Sequence, residues 1–184
     1  MCSWRLKATQ PAEQCLHPPA TRSGFAGFAG FADFAGFARA LQARSAGAAT
    51  RLLRDGDVAG GIQAARSESR IDMCIGIGGS PEGVITAAGV KALGGQIQGI
   101  LHPLSDSERE RGANDDLKFD HVYQMDEMVS SDNTFFVATG VTDGPLVAGV
   151  RKRGEVIFAE SIVVRGRSGT VRKVYAEYQA SRWL

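Results

Sequence analysis

The stretch Ile71-Asp-Met-Cys-Ile-Gly-Ile-Gly-Gly-Ser-Pro-Glu-Gly83 carries the strongest local signal in the sequence. Its first seven residues, through Ile77, form a short apolar run that leads into glycines, which is typical of a buried strand. The residues from Pro81 to Leu93 predict a helix with Ser80 as its N-cap and with Gly94-Gly95 at its end. The sequence therefore predicts a strand, a glycine-rich turn and a helix in direct succession.

A glycine-rich turn that opens a helix is suited to holding a phosphate group. Glycines let the backbone approach a ligand closely, and the helix start offers unpaired N–H groups and a partial positive charge. Two common nucleotide motifs do not fit. A P-loop needs Lys after its last glycine, where Val84 stands, and a Rossmann turn beginning at Gly76 needs glycine in place of Pro81. On shape alone, a tight turn without a ligand is an equal alternative.

Three acidic groups are further candidates for chemistry. Glu82 lies in the first helical turn, where it either offsets the helix dipole or offers oxygen ligands to Mg²⁺ or Mn²⁺. Asp55-Gly56-Asp57 is either a turn and helix cap or a pair of acceptors for sugar hydroxyls or metal-bound water. The segment Thr139–Gly144 follows a predicted strand, and in a parallel sheet it would open on the same edge as the Gly76 turn. Asp143 within it is equally suited to capping a turn.

The rest of the sequence alternates short strands and helices and ends in a hairpin around Gly166–Gly169. This order favours an α/β fold, a layered sheet with flanking helices and an antiparallel edge hairpin. We expect helices at Asp57–Ala65, Ser105–Arg111 and Met125–Val129 and beginning at Leu146, with strands at Thr134–Ala138, Glu160–Arg165 and Thr170–Tyr178.

Composition narrows the class of protein. The 184 residues are 43% hydrophobic and 22% charged, which fits one globular domain, perhaps with an appendage. The net charge of +1 disfavours a protein built to bind nucleic acid or anionic membrane. Three cysteines without a CxxC pair indicate free thiols in a reducing compartment, with Cys74 as a small buried hydrophobe. The three histidines lack ligand spacing, which disfavours a histidine-based metal site.

Residues 1–50 differ from the rest, and we divide the chain into residues 1–50 and 51–184. Residues 1–54 carry a net charge of +5, which leaves −4 for the remainder. Phenylalanine recurs at every third position from Phe25 to Phe37, a step that slips about 60° per repeat on a helix and forms no single stripe. Three interpretations stay open: a targeting peptide, a membrane-surface helix, or repeat-expanded or misjoined coding sequence, which we rank first. Only Phe37–Leu53 is compatible with a helix.

Five motifs, in order and spacing, resemble class II fructose-1,6-bisphosphatases. They are DGDV (55–58), GIGGSPEGV (76–84), ALGGQIQG (92–99), ATGVTDG (138–144) and SGTVR (168–172). The resemblance implies the C-terminal portion of the lithium-sensitive sugar phosphatase fold. It implies hydrolysis of the 1-phosphate of fructose 1,6-bisphosphate, and possibly of sedoheptulose 1,7-bisphosphate, with Mn²⁺ or Mg²⁺. The expected setting is the cytoplasm, in gluconeogenesis or the Calvin cycle, and the expected assembly is a homo-oligomer.

The resemblance also implies roles for individual residues. Asp55, Gly56 and Asp57 match a substrate-contacting motif, Gly79 matches a glycine that lines the substrate, and Glu82 matches a metal ligand. It assigns no catalytic residue, and it gives Asp143 no role at a metal. The expected partner is a small sugar bisphosphate, with neither nucleic acid nor membrane.

The front of the chain departs from the family pattern. The family's N-terminal half supplies most metal-binding carboxylates, whereas residues 1–50 offer only Glu13 and Asp33. We therefore expect a truncated or misjoined front, and the alternative function is a non-catalytic sugar-phosphate-binding remnant. A nucleotide-binding regulatory module of Rossmann type is a third hypothesis, which the missing third glycine disfavours.

Overall fold

The computed structural model describes residues 3–9, 28–30, 41, 43–45, 47–53, 56–103, 105–119 and 121–182. Most of the phenylalanine repeat, and with it the three interpretations of the front segment, lies outside these described residues. The helix expected over Phe37–Leu53 is found only at residues 41 and 43–45, and Thr50–Leu52 is a strand instead. Of the helices described, none has the length and apolarity needed to cross a membrane.

The first sheet has six strands in the order β3-β2-β4-β1-β5-β6. β2 is parallel to β3 and β4, whereas β1 is antiparallel to both of its neighbours, β4 and β5. β3, β4 and β5 therefore all run in the same direction, and their carboxyl ends lie along one edge. The strands are β1 Ser3–Thr9, β2 Phe28–Gly30, β3 Thr50–Leu52, β4 Met73–Gly79, β5 Gln96–His102 and β6 Val122–Gln124.

Two helices connect the parallel strands. Helix α1 (Asp57–Ala65) carries the chain from β3 to β4, and helix α2 (Ser80–Ala92) carries it from β4 to β5. The two helices pack against each other so closely that a Cβ added at Gly89 would collide with Cδ1 of Ile62. Both helices return the chain along parallel strands, so both begin at the carboxyl edge of the sheet.

The structure confirms helix α1 as predicted and confirms β4 and α2 with shifted boundaries. β4 begins two residues later than expected and continues through Gly79, which pairs with Ser3 of β1. The prediction of Ser80 as N-cap is wrong. The N-cap is Gly79, which has an extended backbone, and Ser80 is the first helical residue. The physical reason is strand pairing, which keeps residue 79 extended until the helix begins.

The second sheet is antiparallel, with β9 (Val156–Arg165) at its centre and β10 (Thr170–Gln179) along one side. On the other side, β7 (Phe135–Thr139) pairs with the second half of β9 and β8 (Arg151–Arg153) pairs with the first half. β7 and β8 thus form one interrupted strand. The predicted hairpin of β9 and β10 is confirmed, and Gly169 at its turn has a φ of 58°.

The helix predicted from Leu146 is wrong. Residues 140–150 form a loop inserted between β7 and β8. Within this loop, the side chains of Leu146 and Val147 are buried. These two residues are apolar because the loop buries them, and not because they form the apolar face of a helix. The prediction that Thr139–Gly144 opens on the same parallel edge as the Gly76 turn is also wrong. β7 belongs to the antiparallel second sheet, whereas β4 belongs to the first.

The core lies where α2 is enclosed between the two sheets. α2 contacts β4 and β5 on one side and β7 and β9 on the other. The largest fully buried side chains come from both helices and from both sheets: Ile62, Val90, Ile97, Ile162 and Val164. This layering of helices and sheets confirms the α/β class.

The remaining predictions concern short elements. α3 (Asp106–Asn114) is capped by Ser105, whose hydroxyl accepts a hydrogen bond from the Glu108 N–H at 3.3 Å. α4 (Met125–Met128) is a single turn. The Cys74 thiol is buried and forms no disulfide, as its apolar setting predicts.

Candidate functional site

The carboxyl edge of the parallel strands brings two of the predicted motifs to the same side of the molecule. Gly56 and Asp57 follow β3, and the segment from Gly79 to Glu82 follows β4. Because α1 and α2 lie side by side, their N-termini are neighbours along this edge. The sequence alone predicted each motif, but only the strand directions place them together.

The turn before α1 depends on its glycine. Gly56 is the N-cap of α1 with φ 90° and ψ 48°, a left-handed conformation that residues with a Cβ rarely adopt. Its carbonyl accepts the first helical hydrogen bond, from the Gly60 N–H, at 2.9 Å. Asp57 is the first residue of α1, whereas Asp55 lies outside the described residues. The Asp-Gly-Asp sequence is thus a helix start whose backbone requires glycine at the centre.

The glycine-rich turn is shorter than the sequence suggests. Gly76 and Gly78 lie within β4, opposite Leu6 and Trp4 of β1, and not in a loop. The predicted phosphate cradle over residues 76–83 therefore reduces to the segment that begins at Gly79. The amide groups of the first turn of α2 are the candidate donors for an anion.

Glu82 folds back over this segment. A Cβ added at Gly79 would collide with Oε2 of Glu82, so the carboxylate lies directly above the Gly79 Cα. Glu82 is solvent-exposed, and its carbonyl accepts a hydrogen bond from the buried Thr86 hydroxyl at 2.6 Å. The carboxylate is thus accessible from outside and held beside the amides of the helix start. This position suits both a partner of the helix dipole and an oxygen ligand for a cation.

The described residues do not make a complete metal centre. Within them, three or more His, Cys, Asp or Glu side chains nowhere come together in a way that could hold a metal ion. Mg²⁺ prefers six oxygen ligands, several of which are waters or substrate oxygens. Glu82 is chemically suited to be one such ligand, and the described residues do not bring two further His, Cys, Asp or Glu side chains to it.

His102 is a residue at this edge that the sequence analysis set aside. It ends β5 and lies opposite Ser3, which is also opposite Gly79 on the other side of β1. Two strand spacings therefore separate positions 79 and 102, about 10 Å. The position of His102 at the end of the apolar strand β5 is a sequence signal for a residue at the sheet edge. The insertion of β1 between β4 and β5, however, cannot be predicted from the neighbouring sequence.

Asp143 has a structural role in the loop of residues 140–150. Its Oδ1 accepts hydrogen bonds from the Gly149 N–H and from Nη2 of Arg151, each at 2.9 Å. These interactions, the backbone hydrogen bond first, lower the pKa of the Asp143 carboxyl. The turn-capping alternative is therefore the one that the geometry supports.

Glu160 is a second carboxylate that binds the backbone of this loop, and its role was not predicted from the sequence. The residue is 8% exposed, and its Oε2 accepts the Ala148 N–H at 2.8 Å. Its Oε1 lies 3.2 Å from Nζ of Lys173. The Ala148 hydrogen bond, followed by Lys173 and Tyr175, lowers the pKa of this carboxyl. In the sequence, the position of Glu160 within the apolar residues of β9 indicates a carboxylate that is buried and hydrogen-bonded.

A cavity of about 350 Å³ lies beside Glu160 on the second sheet. It belongs to different strands from the carboxyl edge described above, and none of the predicted site residues lines it. Its walls are formed by residues of the 140–150 loop, β8, β9 and β10: Ala148, Gly149, Arg151, Arg153, Phe158, Ala159, Glu160, Tyr175, Ala176 and Glu177.

Comparison with known proteins identifies relatives over most of the chain. The sequence profile described as bacterial fructose-1,6-bisphosphatase, glpX-encoded, matches residues 39–178. The chain is similar to the class 2 fructose-1,6-bisphosphatase of Haemophilus influenzae, with 37% identity over 146 residues, which cover 72% of this chain and 44% of the relative. It is also similar to fructose-1,6-bisphosphatase 1 class 2 of Escherichia coli, with 34% identity over 141 residues, covering 70% of this chain and 42% of that relative. The chain thus spans less than half the length of these curated relatives.

Proposed function

Because the chain belongs to the bacterial class II fructose-1,6-bisphosphatase family, we propose that it carries part of a metal-dependent site that hydrolyses the 1-phosphate of fructose 1,6-bisphosphate. The observation that carries the proposal is the Glu82 carboxylate above Gly79, at the edge where Gly56 and Asp57 also begin α1. The matched range contains all of these residues.

Each group in this arrangement has a chemical task in phosphate ester hydrolysis. The amides at the start of α2 donate to phosphate oxygens, and the helix dipole favours the negative charge. The missing Cβ at Gly79 leaves room for the Glu82 carboxylate against the backbone, and Gly79 lines the substrate beside it. Asp55 and Asp57 accept hydrogen bonds from sugar hydroxyls. Glu82 offers carboxylate oxygens to Mn²⁺ or Mg²⁺, and the bound cation supplies a Lewis acid that withdraws charge from the phosphoryl oxygens.

A non-catalytic sugar-phosphate-binding protein is the second candidate function. It is favoured by the number of ligands, since the described residues bring no group of three or more His, Cys, Asp or Glu side chains together at the edge. The same cradle would then bind fructose 1,6-bisphosphate without turning it over. The two candidates share every contact named above and differ only in whether phosphate is released.

The experiment measures phosphate release and binding on the same protein. Purified chain is mixed with fructose 1,6-bisphosphate and Mn²⁺, inorganic phosphate is followed, and substrate affinity is measured by calorimetry. Cation-dependent release supports the phosphatase, whereas binding without release selects the second candidate. Absence of both in a folded chain contradicts the second candidate and leaves the phosphatase proposal to the graft.

A graft then tests the site residues in a complete enzyme. Residues 39–178 replace the matched segment of the Haemophilus influenzae relative. We expect the grafted enzyme to release phosphate and Glu82→Gln to weaken its response to the cation. Glu110→Gln, which makes the same change on the exposed surface of α3, is the matched control. Asp57→Ala should raise KM more than it lowers kcat.

Three finer points are proposals as well. We expect activity in the cytoplasm, and a role in gluconeogenesis or the Calvin cycle. Comparing kcat/KM of the grafted enzyme for fructose 1,6-bisphosphate and sedoheptulose 1,7-bisphosphate tests the breadth of the substrate pocket. Comparing Mn²⁺ with Mg²⁺ in the same assay identifies the preferred cation.

A further inference from the structure

Strand β10 is an open sheet edge. Among the residues that the structure describes, Thr170–Gln179 pairs only with β9, on one side. Ten residues make it a long edge, and Val171, Val174 and Tyr175 are 40%, 44% and 73% exposed. A long edge strand with exposed apolar side chains is a template for pairing with another strand.

The other described sheet edges are protected against such pairing. The opposite edge of the second sheet is interrupted by the loop of residues 140–150 between β7 and β8. The outer strands of the first sheet, β3 and β6, have three residues each. β10 is therefore the described edge that is both continuous and long.

The sequence of β10 is complementary to itself in one antiparallel register. With a two-fold axis at Tyr175, Lys173 of each copy lies opposite the partner's Glu177. Tyr175 then lies opposite its own counterpart, and Val174 lies opposite the partner's Ala176. Residues placed opposite each other in this register project from the same face of the sheet, as antiparallel pairing requires. Opposite charges and aromatic pairs in such positions stabilise a sheet.

We propose that two copies of this chain associate through antiparallel pairing of their β10 strands, which joins the two four-stranded sheets into one. The interface is isologous, because the same strand serves on both copies. Lys173 already lies 3.2 Å from Glu160 of its own chain, and the partner's Glu177 adds a second carboxylate. Tyr175 and Glu177 also line the 350 Å³ cavity, so the partner's Tyr175 narrows its open side.

The first test is the mass of the full chain in solution. Sedimentation equilibrium should give twice the monomer mass of 19.5 kDa. Glu177→Lys places like charges opposite each other twice across the two-fold axis and should weaken the dimer roughly 10-fold or more. Glu110→Lys, the same charge change on α3, should leave the dimer unchanged. A monomer at every accessible concentration overturns the proposal, as does a dimer that Glu177→Lys does not weaken.

The second test reads the register directly. In a chain with Cys2 and Cys15 replaced by Ser, Tyr175→Cys should form an intermolecular disulfide on mild oxidation, because the two copies of position 175 are adjacent. Val171→Cys is the control, since its two copies lie about 27 Å apart in this register. Circular dichroism establishes that both variants are folded. Equal crosslinking by the two variants, or crosslinking by Val171→Cys alone, overturns the proposed register.

Discussion

Gly79→Ala is the substitution that separates a functional Glu82 from a merely structural one. Gly79 has an extended backbone with φ −65°, which alanine adopts without strain. The new Cβ meets Oε2 of Glu82, a flexible side-chain end, and the nearest atom outside Glu82 is Cδ of Pro81 at 3.6 Å, an ordinary contact. The substitution therefore moves the carboxylate and leaves the backbone in place.

The size of the effect follows from this displacement. The Glu82 carboxylate must retreat by about 1 Å to restore ordinary van der Waals separation from the new Cβ. A misplacement of about 1 Å in a catalytic constellation can cost about 10²-fold in rate. Stability should change by less than about 1 kcal/mol, because the lost glycine freedom of the unfolded chain offsets the poorer alanine N-cap.

The assay is phosphate release by the grafted enzyme as a function of Mn²⁺ concentration, together with urea unfolding. Gly79→Ala should lower kcat/KM about 10²-fold, and it should add little in a Glu82→Gln background because both changes remove the same ligand. Full additivity of the two substitutions, or unchanged kinetics of Gly79→Ala, refutes the ligand role of Glu82. Loss of folding in Gly79→Ala refutes the packing argument.

Two further predictions concern stability. Glu160→Ala should lower the free energy of unfolding by about 1–3 kcal/mol because the Ala148 N–H loses its acceptor, whereas Glu160→Gln keeps an acceptor oxygen and should cost less than about 1 kcal/mol. Urea titration measures both, and Glu177→Ala on the same sheet, an exposed carboxylate, should have almost no effect on the monomer. The pKa values of Glu127, Asp143 and Glu160 are all lowered in the folded state. Their contribution to stability is thus present above the unfolded pKa of about 4 and is lost as the pH falls through the folded values. Unfolding free energy measured from pH 7 to pH 3 should fall below about pH 4, and an unchanged value there contradicts these pKa directions.

Elements whose signals are local could be predicted from the sequence. Helix Asp57–Ala65 and the β9–β10 hairpin depend on short-range periodicity and turn residues. The helix has the expected bounds, and the hairpin has the expected turn, although β9 begins at Val156 and not at Glu160. The same holds for β4 and α2, apart from boundary shifts that strand pairing imposes. The positions of Gly79 and Glu82 at the start of α2 could therefore be predicted before the fold was known, whereas their functional roles are proposals.

Features that depend on long-range pairing could not be predicted in this way. The insertion of β1 between β4 and β5 and the division into two sheets bring together segments far apart in sequence. The segment around Leu146 has helix-compatible residues, but contacts of its backbone with Asp143 and Glu160 fix it as a loop. Likewise, the position of Glu82 in the first helical turn can be predicted from the sequence, whereas the orientation of its side chain over Gly79 cannot.

Anomalous X-ray scattering at the manganese edge tests the central claim most directly. Crystals of the grafted enzyme are grown with Mn²⁺ and fructose 1,6-bisphosphate, and the metal is located from its anomalous signal. We expect a manganese ion within bonding distance of the Glu82 carboxylate, with a substrate phosphate at the amides that begin α2. A fully occupied metal site elsewhere, with the Glu82 carboxylate directed into solvent and no phosphate at that helix start, contradicts it.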